Sequence, residues 1–564
     1  MTFVLAALAA SAGPYAGEQP VAGKEPPAAL AASRPASRAA SRAASRGVWR
    51  SSRPAVRAVP RPDWWTLLAP APAAVAPVVP QTPIDVAVSA RLKALHIEPA
   101  PLCSDAVFVR RAYLDVIGTL PTAEEALDFI GNTSPDKRRV LIDRLMQREE
   151  FADYWAMKWG DILRIKAEFP INLWPNAAQA YHHWVLDAIR KNKPYDVFAR
   201  ELLTAGGSNF SCPEVNFYRA MQNRTSTGVA TTVALTFMGT RAEKWPKDRL
   251  AGMAGFFDLI AYKNTSEWKE EIVYFDLAKA STKPMPAAVF PDGTVAALAA
   301  GRDPRVAFAD WLITPKNPWF TRAIVNRSWS WLLGRGIIHE TDDIRPDNPP
   351  SNPELLALLE RELIASKYDL RGLFRLILNS QTYQRASAGG TGGEQAAANF
   401  ARYPLRRLDA EVLIDALCQI SGTTEKYTSA IPEPFTFIPA DQRAIALPDG
   451  SITSTFLDMF GRPARDTGLD SERNNRMTPA QRLHLLNSTH VGQKIQRSLA
   501  RLDVQGLRDR PRETMDHIYL TILSRYPTRD ELIAAGQYLR DRRAEGVADL
   551  VWAMINSDEF LYRH

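Results

Sequence analysis

Apolar residues recur every three or four positions through most of this 564-residue chain. That spacing puts the apolar side chains on one face of an α-helix, whereas a half-buried strand alternates apolar and polar residues. The clearest example is an aromatic stripe formed by Phe151, Trp155, Trp159 and Ile162. The periodicity therefore predicts a mostly α protein.

Local start signals place several of these helices. Three capping boxes combine a Thr N-cap with Glu or Gln three residues later, at Thr122–Glu125, Thr478–Gln481 and Thr528–Glu531. They predict a helix that Gly131 ends, a helix over 479–499 and a helix that begins after Thr528. Periodicity extends other helices over 247–261 and 370–384, and only Ile272–Phe275 is typical of a strand. Residues 421–476 have little helical periodicity, which predicts a long irregular segment.

Composition divides the chain into a tail and two helical lobes. Residues 277–302 are rich in Ala, Pro and Gly, which predicts a linker between lobes at 63–276 and 303–564. Residues 1–62 hold nine of the 69 basic and two of the 62 acidic residues, so the remainder carries 60 of each. The positive charge belongs to an Ala/Ser/Arg tail that we expect to be disordered. It is either a solvated linker, which we favour, or a contact for an anionic surface.

The same numbers exclude some classes of protein. A neutral remainder argues against a basic nucleic-acid-binding domain. No run of 18 apolar residues exists, so we expect no transmembrane segment. The three cysteines, at 103, 212 and 418, lie too far apart for a disulfide scaffold or a cysteine-rich zinc domain. Residues 1–12 resemble the end of a secretory signal peptide, although no basic residue precedes the apolar run, so we expect an incomplete export signal.

A first polar cluster follows the tryptophan-rich helix of the second lobe. Asn326 and Arg327 interrupt an apolar helix, and the next loop carries Asp342, Asp343 and Arg345. Paired carboxylates beside a guanidinium can act as general acid and base on a glycosidic bond, or can bind calcium. The structural alternative, which we favour, is that Arg327 or Arg345 pairs with Asp342 or Asp343 and fixes the loop.

A second polar cluster lies in the irregular segment. Arg465, Asp466, Glu472 and Arg473 stand there among further arginines and amides. Guanidinium groups suit sulfate, phosphate or carboxylate, so an anionic-glycan site is one interpretation. The other, which we favour, is an internal salt-bridge lattice that orders the segment. Asp161 is a further candidate acid, expected to pair with Arg164.

Histidines and tryptophans carry weaker signals. Adjacent His182 and His183 point apart, and His484 and His490 are six positions apart, so we expect structural roles and no metal site. Four tryptophans either stack on sugar rings or, as we favour, pack between the lobes: Trp311, Trp319, Trp329 and Trp331. No phosphate-binding loop, dinucleotide glycine motif or Gly-x-Ser-x-Gly elbow is present, which argues against nucleotide-driven and serine-hydrolase chemistry.

Many short words in the chain match two known families in the right order. Asp63-Trp-Trp65, Gly118-Thr-Leu-Pro121 and Trp159-Gly-Asp161 resemble the domain-of-unknown-function family 1549. Val325-Asn-Arg327 and Gly334-Arg-Gly336 resemble its usual partner, family 1553. The resemblance covers residues 63–564. It implies an exported bacterial protein of the planctomycete and verrucomicrobial kind, periplasmic or at the cell envelope, often encoded beside a sulfatase-like partner, and it implies no reaction.

One departure from the first family concerns a cofactor. Many of its members carry Cys-x-x-Cys-His, the attachment motif of c-type haem. At the corresponding place, residues 237–245, this chain has no cysteine or histidine. Absence of the motif excludes covalent c-type haem, and we expect no cofactor, although calcium or a non-covalent cofactor stays open.

Two functional hypotheses follow. The first is a non-catalytic binding or scaffold protein of the cell envelope that handles an anionic polysaccharide with its sulfatase-like partner. Exposed tryptophans with Arg345, Arg465 and Arg473 would then carry recognition. The alternative is a carboxylate-dependent polysaccharide hydrolase with Asp342, Asp343 or Glu472 as acid and base. Two carboxylates across an open cleft would favour the hydrolase, and acids held in arginine pairs would favour the scaffold.

Overall fold

The computed structural model describes residues 81–282, 288–299, 301–507 and 509–564. Within these ranges the chain is mostly helical, which confirms the fold class that the apolar periodicity predicts. The predicted basic tail, residues 1–62, and the signal-like run lie outside the described residues. None of the described helices combines the length and the apolarity that crossing a membrane requires.

The first half of the described chain is built mainly from helices, several of which begin at a proline or a capping box. Their bounds are α1 Pro83–Ala94, α2 Asp105–Val116, α3 Ala123–Gly131, α4 Lys137–Leu145, α5 Glu149–Ile162, α6 Pro175–Arg190, α7 Tyr195–Thr204, α8 Asn216–Arg219, α9 Ser226–Met238, α10 Lys247–Ala254 and α11 Leu277–Thr282. The capping box at Thr122 is formed as predicted, and α3 ends at Gly131.

The second half continues the same architecture. Its helices are α12 Pro304–Leu312, α13 Phe320–Leu333, α14 Pro353–Ala365, α15 Leu370–Leu378, α16 Gln381–Gln384, α17 Gly393–Ala398, α18 Ala410–Ser421, α19 Thr455–Met459, α20 Pro479–Asn487, α21 Thr489–Arg501, α22 Pro511–Leu523, α23 Arg529–Ile555 and α24 Asp558–Leu561. The boxes at Thr478 and Thr528 are also formed, at the starts of α20 and α23.

Two small antiparallel sheets accompany the helices. The first has the order β1-β3-β2, with β1 Gly207–Ser208, β2 Ile260–Asn264 and β3 Glu271–Phe275. The second pairs β4 Arg406–Arg407 with β5 Tyr562–Arg563. The predicted strand at 272–275 is confirmed as part of β3, and its partner β2 takes the end of the segment predicted as helix 247–261. Hairpin pairing with β3 prevails there, because five residues of β2 find partners along it.

Helices from both predicted lobes share one hydrophobic core. The aromatic stripe on α5 is buried as predicted, and it packs against the second half of the chain. The ring centroid of Trp155 lies 5.5 Å from that of Trp331 on α13 and 4.3 Å from that of Phe374 on α15. Trp159 lies 5.8 Å from Trp331. The lobe boundaries themselves stay a prediction.

The described part of the predicted linker also packs on the helices. Residues 277–282 form α11, and Ala288 is buried against Gly255. The ring of Phe290 stacks between Phe256, at 4.7 Å, and Trp311, at 5.0 Å. These apolar contacts attach residues 288–290 to the core.

Two helices predicted as continuous are interrupted at a serine. Ser488 separates α20 from α21 and accepts a hydrogen bond from the amide of Val491. Ser380 separates α15 from α16 and caps the amide of Tyr383 in the same way. A serine hydroxyl competes for backbone amides and favours a new N-cap over continuation of the helix. The apolar periodicity alone does not predict these breaks in the helices.

Gly239 allows a test of the contact between the two halves. It caps α9 with φ +60°, and an added Cβ would lie 2.9 Å from Cδ1 of Ile344 and 3.0 Å from the carbonyl oxygen of Thr341. We expect Gly239→Ala to lower the free energy of unfolding by about 3 kcal/mol, from backbone strain and overpacking together. Gly393, with φ +53° and no atom within 4 Å of the added Cβ, is the matched control.

Gly393→Ala carries the backbone strain alone, about 1–2 kcal/mol. Urea unfolding followed by tryptophan fluorescence compares the two variants. Equal loss of stability in both would contradict the close approach of α9 to the loop that contains Thr341.

Candidate functional site

The two polar clusters predicted from the sequence meet in the structure. Nη2 of Arg327 donates to Oδ1 of Asp342 at 2.7 Å, and Oδ2 of Asp342 accepts the backbone N–H of Asp470 at 2.7 Å. The hydroxyl of Thr341 donates to Asp470 at 3.2 Å. The loop after α13 and the irregular segment, residues 421–476, are therefore joined in one continuous polar region.

The two polar residues of α13 are buried and hold neighbouring backbone. Arg327 is fully buried, and Nη1 donates to the carbonyl oxygen of Thr236 at the end of α9. Burial alone would lower the pKa of Arg327, but the carboxylate of Asp342 outweighs it and raises the pKa. Asn326 exchanges two hydrogen bonds with the backbone of Ile338. Both side chains act inside the protein, as the structural alternative expects of Arg327.

Asp343 and Arg345 lie nearer the surface. Nε of Arg345 contacts Asp343 at 3.1 Å and Nη1 donates to Asp347 at 3.0 Å. The side chain of Arg345 is 47% exposed, and Lys244 approaches Asp343 at 4.0 Å. This is a surface ion cluster in which acids and bases nearly balance.

Arg465 and Arg473 converge on one acid of the aromatic helix. Arg465 is fully buried, and its Nε donates to Oδ1 of Asp161 at 2.9 Å. Its two other nitrogens donate to the carbonyl oxygens of Ile165 and Met157. Nη2 of Arg473 donates to Oδ2 of Asp161 at 2.7 Å. The expected pairing of Asp161 with Arg164 is wrong: Arg164 instead donates to the carbonyl oxygen of Thr467.

The same contacts extend into a larger buried ion lattice. Its acids are Asp115, Asp161, Asp409 and Glu411, and its bases are Lys158, Arg406, Arg462, Arg465, Arg473 and Arg563. Asp409 accepts from Lys158 and Arg563, each at 2.9 Å. Arg473 donates to Glu411 at 2.6 Å. Burial would raise the pKa of Asp409, but Lys158, Arg563 and Arg473 outweigh it and hold that pKa well below its ordinary value.

Asp466 and Glu472 shape the loop that carries them. Oδ1 of Asp466 accepts Nζ of Lys166 at 2.7 Å. Glu472 accepts the backbone N–H groups of Asp466 and Thr467 and the hydroxyl of Thr467. These contacts order a segment without long helices. The roles predicted for these residues in catalysis or ligand binding stay predictions.

Asp470 is the third acid of the second polar cluster, beside Asp466 and Glu472, and was not chosen as a candidate site residue. It accepts from Nε1 of Trp331 at 3.3 Å as well as from Thr341. Burial, and then the nearby carboxylate of Asp342, raise its pKa. A carboxyl group in this environment holds a proton more readily than an ordinary aspartate. The sequence could not show that Asp470 lies beside Asp342, because the two are 128 positions apart.

The histidines expected to be poorly aligned lie side by side. The two residues lie on either side of the break at Ser488, and Nε2 of His484 is 3.5 Å from Nδ1 of His490. Nε2 of His490 contacts Glu425 at 2.9 Å. Burial, and then His490, lower the pKa of His484. Within the described ranges, no three His, Cys, Asp or Glu side chains are arranged to hold a metal ion.

The four tryptophans proposed for sugar stacking are core or half-buried residues. Trp329 and Trp331 are buried. Trp311 and Trp319 are half-buried and their ring centroids lie 5.8 Å apart. Large exposed aromatic side chains lie elsewhere, and Trp268 is 58% exposed. Sequence reasoning favoured packing for the four tryptophans, and it missed Trp268.

Removal of one lattice arginine tests the structural role of the ions. We expect Arg473→Met to lower the free energy of unfolding by about 3–5 kcal/mol, because Asp161 and Glu411 would stay buried without their shared partner. The control is Arg139→Met, since Arg139 and its partner Asp136 are 56% and 64% exposed. That change should cost less than about 1 kcal/mol. Equal urea midpoints for the two variants would contradict the lattice.

The lattice also predicts a pH dependence. The pKa of Asp409 in the folded protein lies well below its ordinary value of 3.8, so its carboxylate stabilises the fold above that value. This stabilisation is lost as the pH falls toward the lower, folded pKa. We expect the urea midpoint to fall between about pH 5 and pH 2, less steeply in Asp409→Asn than in the wild type. The control is Asp347→Asn, because Asp347 is exposed. If the urea midpoint of Asp409→Asn falls with pH as steeply as that of the wild type, the stabilising role of the Asp409 carboxylate is contradicted.

Two family models match the chain. One is PSD1, described as a protein of unknown function (DUF1553), over residues 304–539. The other is PSCyt2, described as a protein of unknown function (DUF1549), over residues 83–244. No curated protein and no solved structure matches the chain. The resemblance predicted from the sequence is confirmed: the DUF1549 model matches the earlier part of the chain and the DUF1553 model the later part.

Proposed function

We propose that this chain is a non-catalytic binding or scaffold protein of the cell envelope that handles an anionic polysaccharide. The observation that carries the proposal is the state of the three candidate catalytic acids. Asp342 is held by Arg327 and a backbone amide, Asp343 contacts Arg345, and Glu472 accepts backbone amides. A general acid or base must reach the substrate, and these carboxylate oxygens are already occupied by groups of the protein itself.

The ligand class and location rest on the family resemblance. It implies export and a sulfatase-like partner, and a sulfated or carboxylated glycan is a polymer that both proteins could handle. Of the three arginines predicted for recognition, Arg465 and Arg473 have internal partners and Arg345 is the exposed one. A binding surface therefore needs groups beyond these three.

One observation favours the hydrolase alternative. Asp470 has a raised pKa and lies beside Asp342, and two carboxyl groups in unlike environments are the usual acid and base of a glycosidase. Against it, Asp470 already accepts from Trp331 and Thr341. In this alternative Asp470 is the proton donor, whereas the sequence analysis gave that role to Asp342, Asp343 or Glu472.

Binding and hydrolysis can be measured on the same samples. We expect the purified chain to bind dextran sulfate or alginate in calorimetry and to release no reducing ends during long incubation, because the candidate acids are held in place. Release of reducing ends that Asp470→Asn abolishes would overturn the non-catalytic proposal. Exposed Asp347→Asn is the matched control for that variant.

A partner test addresses the scaffold role. Immobilised chain should retain the sulfatase-like product of a neighbouring gene, and retention should rise when dextran sulfate is added, since one polymer can bind both proteins. Failure to retain that product with and without polymer would contradict the partner, while leaving polymer binding to be judged by calorimetry.

A further inference from the structure

Three aromatic rings from distant parts of the chain meet at the surface. The ring centroids of Trp174 and Trp268 are 4.8 Å apart, those of Trp174 and Phe435 are 5.4 Å apart, and those of Trp268 and Phe435 are 5.3 Å apart. We call Trp174, Trp268 and Phe435 the aromatic platform. Trp174 is the N-cap of α6, Trp268 lies at the tip of the β2–β3 hairpin, and Phe435 belongs to the irregular segment after α18.

The platform is open to solvent, and two of its segments carry a further exposed ring. Trp268 is 58% exposed and Phe435 40% exposed. Phe169 and Phe437, also exposed, are on the segments that carry Trp174 and Phe435. Those segments are joined by Glu168, which accepts the backbone N–H of Ala430. Exposed aromatic rings in mutual contact, as in the platform, mark a site of interaction.

Trp174 is held at a cost that packing does not explain. Its backbone has φ +71° and ψ 148°, a conformation that is a true outlier for a bulky side chain. Its indole Nε1 is buried with no hydrogen-bond partner among the described residues. Backbone strain and an unsatisfied buried donor both lower stability, and such strain gathers at ligand sites.

The ammonium group of Lys269 lies over the rings of Trp174 and Trp268. Nζ of Lys269 lies 4.6 Å from the ring centroid of Trp174 and 5.6 Å from that of Trp268. The nearby carboxylate of Glu270 is occupied by the hydroxyls of Ser208 and Thr265. Within the described ranges, the ammonium of Lys269 has no acid within ion-pair distance. Because it already fills the cation–π position, it repels a cationic ligand and attracts an anionic one.

We propose that the aromatic platform and Lys269 form a binding site for a pyranose unit of an anionic glycan. The apolar C–H face of the sugar packs on Trp268 and Phe435, and Lys269 donates to its sulfate or carboxylate group. This inference rests on the proposed function and locates its ligand site away from the buried ion lattice. Sites for small ligands are usually lined by aromatic and apolar side chains, with a few polar or charged groups that fix the orientation of the ligand.

Calorimetric titration of the full chain with dextran sulfate, and with unsulfated dextran, tests the site. Trp268→Ala should weaken dextran sulfate binding at least about tenfold, and Trp268→Tyr should restore most of it because a ring is retained. Lys269→Gln should weaken dextran sulfate binding and flatten its salt dependence, because one ion contact is lost. Trp552→Ala, at a 40% exposed tryptophan on α23, is the control and should bind like the wild type.

The outcomes separate this inference from the proposed function. Dextran sulfate binding that Trp268→Ala and Trp552→Ala leave equal to wild type overturns the platform, while the proposed function stands. Binding of neither polymer by the wild-type chain overturns the proposed function and the platform's ligand together. Equal affinity for both polymers, lowered by Trp268→Ala, keeps the sugar site and overturns its anionic class. Unchanged urea midpoints of the variants show that each loss concerns binding.

Discussion

Asp409 lies at the point on which this fold depends most. Its buried carboxylate accepts from Lys158 on α5 and from Arg563 on β5, and it lies 3.7 Å from Arg473 in the irregular segment. Each removal of an ion from water costs several kcal/mol, and only well-placed partners recover that cost. The segments that supply these ions must therefore be in place together, which joins the first and second halves of the described chain into one structure with one core.

The ion lattice also explains how the irregular segment, residues 421–476, is ordered without long helices. Its arginines are anchored to Asp161 and Glu411, and its acids accept backbone amides or a lysine. Ion pairs and capped amides there take the place of helical hydrogen bonds. An irregular backbone with its polar groups satisfied can lie against the core, which an unsatisfied loop cannot.

Local signals in the sequence predicted local structure well. The capping boxes at Thr122, Thr478 and Thr528 are formed, and α3 ends at Gly131. These signals act within one helical turn. The break at Ser488 was missed, because a serine in an amphipathic run continues or starts a helix with similar ease and tertiary contacts decide between the two.

Partner identity was predicted less well, for a physical reason. Asp161 was expected to pair with its near neighbour Arg164, and its partner Arg465 is 304 positions away. Ionic partners are selected by the folded arrangement, which periodicity does not encode. The same limit applies to the tryptophans. The four between residues 311 and 331 were chosen as candidates because they are close in sequence. Trp174 and Trp268 are far apart in sequence, yet they meet at the surface.

The position of Arg563 has a consequence for how the chain is made. It closes the contacts to Asp409, which leaves the ribosome 154 residues earlier, and to Asp115, which leaves earlier still. Until Arg563 emerges, those carboxylates face an incomplete interior and are better hydrated than buried. The nascent polypeptide therefore cannot complete this part of its interior until Arg563 has been synthesised.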